Sequence, residues 1–289
     1  MLPFMKARAK RRDQIMSVDL GGRTTKAVYL TRRGDRFSFQ NYAVFDSPAT
    51  DTAVTNLAPE TLAEHLKEIM RALGVRAKQQ ITLALGVEDT VFRQVDMPLM
   101  PIPGMRRMLK FNSKNYLQQD LADHVFDCCY LIPPTGQNKS QGKGRTMGAG
   151  QKHKVAIGGV RQKVLDDLQE AVKAAGLMPD QIVPGLIGPV NAFEMAQPEI
   201  FEKEAVALVD VGFKNSSITI LDCGVISLNR VVAIGGDRLT SGLAETMNIS
   251  YMEAENIKQG MTEEIKSNLE LLINPLAREL RASIDFFEH

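Results

Sequence analysis

Two segments of the chain carry the same order of side-chain types. The first reads MSVDLGGRTTKAVYL (residues 16–30) and the second ALVDVGFKNSSITIL (residues 207–221). Each runs apolar, apolar, Asp, apolar, Gly, then a polar turn with Thr or Ser, then a β-branched strand. Asp19 matches Asp210, and Gly21 matches Gly212. These residue types suit a polyphosphate. Glycine lets backbone N–H groups approach an anion closely and tolerates positive φ. Hydroxyls and Lys26 add donors to phosphate oxygens. A carboxylate at each strand end can hold Mg²⁺ through water, because Mg²⁺ keeps much of its hydration shell. Either Asp alone would be read as a turn cap bonding its own backbone. The match over about fifteen positions favours the ligand role for both.

Two further stretches carry candidate chemistry. VVAIGGDRLT (231–240) predicts a strand ending at Gly235-Gly236, a turn that phosphate could approach, and a helix beginning near Thr240. Simple helix entry, with Asp237 or Thr240 as N-cap, is the plainer use of the same residues. MEAENIKQG (252–260) sets Glu255 and Lys258 three apart on one helix face, where an exposed ion pair is the plainer reading. The glycine-rich segment 135–153 is not a Walker A loop. Five residues separate Gly136 from Gly142, and Gly144 stands where Ser or Thr is required. It is expected to be a mobile loop at a hairpin tip.

The elements that must position these residues follow from periodicity. QIMSVDL (14–20) predicts a buried strand stopped by Gly21-Gly22, followed by strands over 27–30 and 37–44, a hairpin-rich start. Leu62, Leu66, Ile69 and Leu73 predict an amphipathic helix over 58–73, ended by Gly74. A strand over 81–85, a proline-rich linker over 97–104, a helix over 105–117, a strand over 154–159 and a helix over 162–175 follow. Leu269, Leu272, Leu276, Leu280, Ile284 and Phe287 form a helical apolar stripe read as core, kinked or divided at Pro275.

With 289 residues, 44% of them hydrophobic and 24% charged, the chain can bury a sizeable core in one large domain or two lobes. A net charge of +1 gives no global field for nucleic acid. No stretch approaches the roughly 20 apolar residues of a spanning helix. Lys6, Arg8, Lys10, Arg11 and Arg12 make a basic tail, with weak contact to an anionic membrane as its functional alternative. Cys128, Cys129 and Cys223 have neither disulfide nor metal spacing and are expected to be small buried residues in a reducing compartment.

The order strand-DxG-turn, inserted segment, strand-DxG-turn, GGDxLT and a helix with AExxK resembles the actin-like ATPases. AIGGDRLTSGLAETMNISYMEAENIKQG (233–260) and ELRASIDFFEH (279–289) look most like the PilM branch, the FtsA-like proteins of type IV pilus assembly. That resemblance implies an α/β, actin-like (ribonuclease H-like) fold of two lobes with an inserted α+β subdomain. The expected division is a basic tail over 1–13, a first lobe over 14–84 and 182–204, an insert over 85–181, and a second lobe over 205–289. It implies ATP and Mg²⁺ as ligands. Asp19, Gly21, Gly22, Arg23, Thr24 and Lys26 match the first phosphate loop, and Asp210, Gly212, Asn215 and Ser216 the second. Gly235 and Gly236 match the glycine pair near the α- and β-phosphates, and Glu255 and Lys258 the helix that contacts ribose and adenine. The family continues into a glycine-rich adenosine motif and a final helix, so a sequence ending at His289 is expected to be truncated in its second lobe.

Hydrolysing members place Gln or Glu in the first inter-lobe connection; IVPGLIGPVNAF (182–193) has neither, which implies weak or no turnover. The implied role is a cytoplasmic scaffold that takes the cytoplasmic N-terminal segment of a PilN-like inner-membrane protein, stays peripheral to that membrane through it, and self-associates through the insert. The alternatives are an FtsA-like cell-division filament protein, or an active ATPase or small-molecule kinase of the same fold using Glu194.

Overall fold

The computed structural model describes residues 13–34, 36–49, 56–131, 152–260 and 265–288. The basic run before Asp13 and residues 135–151 of the glycine-rich segment lie outside them. The chain divides into two compact units, Met1–Asn191 and Ala192–His289.

The first unit opens on a meander. Strands β1 (Gln14–Leu20), β2 (Thr24–Arg33) and β3 (Arg36–Asp46) pair antiparallel in sequence. β4 (Gln80–Leu85) and β8 (Met178–Pro184) extend the sheet in parallel, giving the order β3-β2-β1-β4-β8. Helices α1 (Pro59–Leu73) and α3 (Gln162–Ala174) bury their apolar stripes on one face of this sheet. Leu62, Leu66 and Ile69 of α1, with Val164 and Leu168 of α3, pack on Met16, Val18, Leu20 and Leu83. Each such fully buried side chain contributes roughly 1.5–3 kcal/mol. Pro59 suits the first turn of α1, where its missing N–H has no partner to lose. Gly74, at φ 67, closes the helix in the left-handed conformation.

A second sheet, β5-β7-β6, is formed by β5 (Thr90–Pro98), β6 (His124–Tyr130) and β7 (Lys152–Arg161). Helix α2 (Ile102–Leu117) closes a separate small core over it, with Met97, Met105, Leu109, Phe126, Val155 and Ile157 inside. α2 begins three residues earlier than its apolar spacing predicts, because Pro101 and Pro103 fit its cap and first turn, and Asn112 leaves helical geometry inside it. Helix α4 (Ile187–Ala196) crosses the boundary between the units.

The second unit starts with the short helix α5 (Pro198–Lys203) and then repeats the meander. β9 (Ala205–Val211), β10 (Ser216–Asp222) and β11 (Val225–Val232) pair antiparallel in the order β11-β10-β9. Helices α6 (Gly236–Met247), α7 (Tyr251–Gly260) and α8 (Lys266–Glu288) complete it. Leu276 of α8 packs with Ile218 and Ile234. α8 runs on through Pro275 without division. β9 ends the described sheet and leaves Val209 and Val211 exposed. Cys128 and Cys129 are buried as expected, but Cys223 is exposed. It sits at φ 46 in the tight β10–β11 turn, which faces solvent.

Candidate functional site

The two meanders are copies in detail. Asp19 pairs with Lys26 and Leu20 with Thr25; Asp210 pairs with Ser217 and Val211 with Ser216. The offset is constant along both hairpins. Further on, the register between β2 and β3 slips after Tyr29, and that between β10 and β11 slips after Ile220, the matching residue. A bulge that recurs at one place in two hairpins is a property of the unit that was duplicated.

Each turn needs its first glycine. A Cβ on Gly21 would stand 2.5 Å from the Thr24 carbonyl oxygen, and one on Gly212 would stand 2.7 Å from that of Asn215. The Gly212 N–H donates to the Asn215 carbonyl at 3.0 Å. Gly22 differs: a Cβ there would meet nothing within 4 Å, so its chain neighbours do not require glycine. Phe213 stands at the matching place in the second copy.

In the first unit the turn meets the carboxyl ends of three parallel strands, β1, β4 and β8, the edge where open α/β sheets bind ligands. The Gly185 N–H donates to the Leu85 carbonyl at 2.7 Å, and a Cβ on Gly185 would lie 3.9 Å from Asp19 Oδ1. Asp19 and Lys26 are partly exposed with Nζ and Oδ2 3.9 Å apart. The Arg23 carbonyl accepts from the Ser47 N–H. Behind the turn, the buried Thr25 hydroxyl lies 2.9 Å from His65 Nε2 on α1. Burial pushes the His65 pKa down, although Glu68 pulls it up, so the ring favours its neutral form.

In the second unit Asp210 is exposed at the end of β9. Ser216 corresponds to Thr25 and is likewise buried; its hydroxyl donates to the Ile234 carbonyl at 2.5 Å. The same hydroxyl position ties each hairpin to the next layer, α1 in one copy and the 234–236 turn in the other. That turn docks on the hairpin. The N–H groups of Gly236 and Asp237 donate to the carbonyls of Gly212 and Phe213, each at 2.9 Å, and a Cβ on Gly235 would collide with the Phe213 carbonyl. Gly212, Asn215, Gly235 and Gly236 are therefore brought together. β11 stops at Val232 and α6 starts at Gly236, four residues before the start expected at Thr240; Gly235 is the N-cap, and neither Asp237 nor Thr240 caps the helix. Glycine at the cap permits the close backbone approach that a side chain would block.

Glu255 and Lys258 are not the exposed pair that spacing alone suggests. Glu255 is buried, and Lys258 Nζ lies 2.6 Å from its Oε2. The same Nζ donates to Thr240 Oγ1 at 2.6 Å and to the Gly236 carbonyl at 3.2 Å. Thr240 Oγ1 lies 2.6 Å from Glu255 Oε2, and Gln259 donates to Oε1 at 3.0 Å. Burial would raise the Glu255 pKa, but hydrogen bonds from Lys258, Thr240 and Gln259 hold it down to about 2. Gln259, His65 and Gly185 have no motif of their own in the sequence, and Thr25 and Thr240 stand inside quoted motifs that do not announce their bonding partners. Only His65, polar within the apolar stripe of α1, carries a hint.

Among the described residues no group of three or more His, Cys, Asp or Glu could hold a metal ion. No described helix is long and apolar enough to cross a membrane.

Two units, each containing a meander whose first turn reads Asp-x-Gly, define the actin-like ATPase fold. The comparisons agree: a solved structure described as a PilM-PilN type IV pilus biogenesis complex superposes with TM-score 0.79 at 21% identity, covering 96% of this chain and 78% of that one. The ethanolamine utilization protein EutJ from Carboxydothermus hydrogenoformans gives TM-score 0.47 at 17% identity over 94% of this chain and 70% of that one. The model of the type IV pilus assembly protein PilM family matches residues 17–289, and the chain belongs to that family. Cell division protein FtsA of Bacillus subtilis (strain 168) is 27% identical over 96 residues, 33% of this chain and 21% of that protein.

Proposed function

We propose that this chain binds ATP with Mg²⁺ and serves type IV pilus assembly as a scaffold that takes up the cytoplasmic N-terminal segment of a PilN-like inner-membrane protein. The observation that carries the nucleotide part is the Asp-x-Gly turn built twice with one register and one bulge. In this reading Gly21, Gly22, Arg23, Thr24 and Lys26 form one phosphate loop, and Gly212, Asn215 and Ser216 the other. Asp19 and Asp210 hold Mg²⁺ through water. Gly235 and Gly236 approach the α- and β-phosphates, and Glu255 and Lys258 flank the nucleoside. The fit rests on Asp19, partly exposed at the carboxyl edge of three parallel strands, and on Gly22, whose missing side chain leaves open space. Bound Mg²⁺ would neutralise phosphate charge.

Residues 182–193 supply no carboxylate or glutamine to orient water, so turnover is weak or absent. Family membership and likeness to the PilM-PilN complex support the partner. The segment docks in extended form between the first lobe and the insert, held by main-chain contacts and side-chain pockets. It keeps the chain on the cytoplasmic side of the inner membrane, and the insert supports self-association.

Titration of the purified chain with a fluorescent ATP analogue and Mg²⁺ tests the nucleotide part. Asp19→Ala lowers affinity at least about tenfold; equal binding by both proteins overturns the assignment. Co-purification with the PilN-like segment, with and without ATP, tests the partner separately.

A further inference from the structure

We infer that the outermost strand of the first sheet among the described residues, β3 with its hairpin to β2, is a docking surface for an anionic lipid bilayer. This does not rest on the nucleotide reading, and it concerns a direct contact rather than one through a partner.

The geometry comes from the bulge. Phe37 faces Arg32 across the hairpin and Phe39 faces Leu30; the register then skips Gln40, and Tyr42 faces Val28 and Val44 faces Lys26. Arg32, Leu30, Val28 and Lys26 alternate on one face of β2, so the skip sets Phe37, Phe39, Tyr42 and Val44 on that same face. Without it Tyr42 and Val44 would turn toward α1. The four are 37%, 60%, 66% and 58% exposed. Single apolar side chains in water need no explanation, but a contiguous row does. Phe39 and Tyr42 touch, with ring centroids 5.9 Å apart.

The second copy serves as an internal control. β11 has the same bulge, but Ile226 at the place of Phe39 is buried, and Asn229 at the place of Tyr42 donates to Thr219 at 2.7 Å. The aromatic side chains of the row belong to the first copy alone, although Val231, at the place of Val44, is also exposed.

Charge selects the occupant. The hairpin end carries Arg32, Arg33 and Arg36, with the Arg32 guanidinium 5.0 Å from the Phe37 ring centroid. The chain enters the sheet at this end, where the Asp13 carbonyl accepts the Arg32 N–H at 2.7 Å, directly after Lys6, Arg8, Lys10, Arg11 and Arg12 in sequence. On this face of β1 and β2 Asp19 lies at the opposite end beside Lys26, while Asp13, opposite Arg32, and Asp35, between Arg33 and Arg36 in sequence, offset part but not all of the positive charge at the hairpin end. Aromatic rings settle at headgroup depth, and arginines pair with lipid phosphates. A strand added to the edge would bond the backbone in the plane of the sheet and leave the row in water. A bilayer takes up the rings and the arginines together.

Co-sedimentation of the 289-residue chain with phosphatidylglycerol–phosphatidylcholine vesicles, against phosphatidylcholine alone, tests this. The expected result is salt-sensitive binding to the anionic vesicles only. Phe39→Ala with Tyr42→Ala, and separately Arg33→Glu with Arg36→Glu, each weaken binding at least about tenfold while thermal unfolding is unchanged. Equal binding to both lipids overturns the inference. So does wild-type binding by both variants, including the case where deleting residues 1–12 alone abolishes it. Absence of vesicle binding together with self-association lost in the same variants also overturns it and assigns the edge to a second copy of the chain.

Discussion

Gly21 and Gly22 are neighbours with different physical duties. At Gly21 the Thr24 carbonyl occupies the space of a side chain, so Gly21→Ala is expected to cost about 1–3 kcal/mol in thermal or urea unfolding. At Gly22 no atom of the chain objects; Gly22→Ala should unfold like the parent yet bind ATP more weakly, the sign that the missing side chain serves a ligand. Glu255 gives a pH test. Its folded pKa lies near 2, below the ordinary 4.5, so its contribution is complete above the unfolded value. It is lost as pH falls from about 5 toward 2. In acid titrations of stability Glu255→Gln should remove part of that slope. Lys258→Met, which strands the buried carboxylate, should cost about 3–5 kcal/mol at neutral pH.

At the scale of elements, what could be read from the sequence was what local periodicity encodes. The run 14–20 alternates and stops at glycine, and β1 occupies those residues. The stripe through Leu62, Leu66 and Ile69 gives α1 to within a residue, and Leu66→Ala is expected to destabilise by about 2–5 kcal/mol because its pocket is closed. The duplication was legible because both copies keep Asp, Gly and a hydroxyl in phase. The links behind the turns were not. Thr25 with His65 spans forty positions, and Ser216 with Ile234 eighteen. No residue spacing announces such pairs, since each depends on which layer covers the hairpin. The same reason hid the bonds of Thr240 to the Glu255–Lys258 pair and the burial of that pair: an i,i+3 spacing is identical whether water or another helix faces it. The start of α6 at Gly236 escaped because docking on the Gly212 and Phe213 carbonyls fixes it, not the capping preference of Asp or Thr.

Across the whole molecule the two copies have kept their turns and diverged in what surrounds them. In the first, β1 lies between β2 and β4 and the meander is one part of a five-stranded sheet. In the second, β9 has β10 on one side only among the described residues. That difference bears on handling. A terminal strand with two valines facing water and a row of bare amide and carbonyl groups is an invitation to intermolecular zippering. Concentrated stocks should therefore scatter light over hours in a manner that nucleotide does not reverse. Val209→Lys should clear the solution without altering the melting temperature, which dynamic light scattering beside calorimetry would reveal.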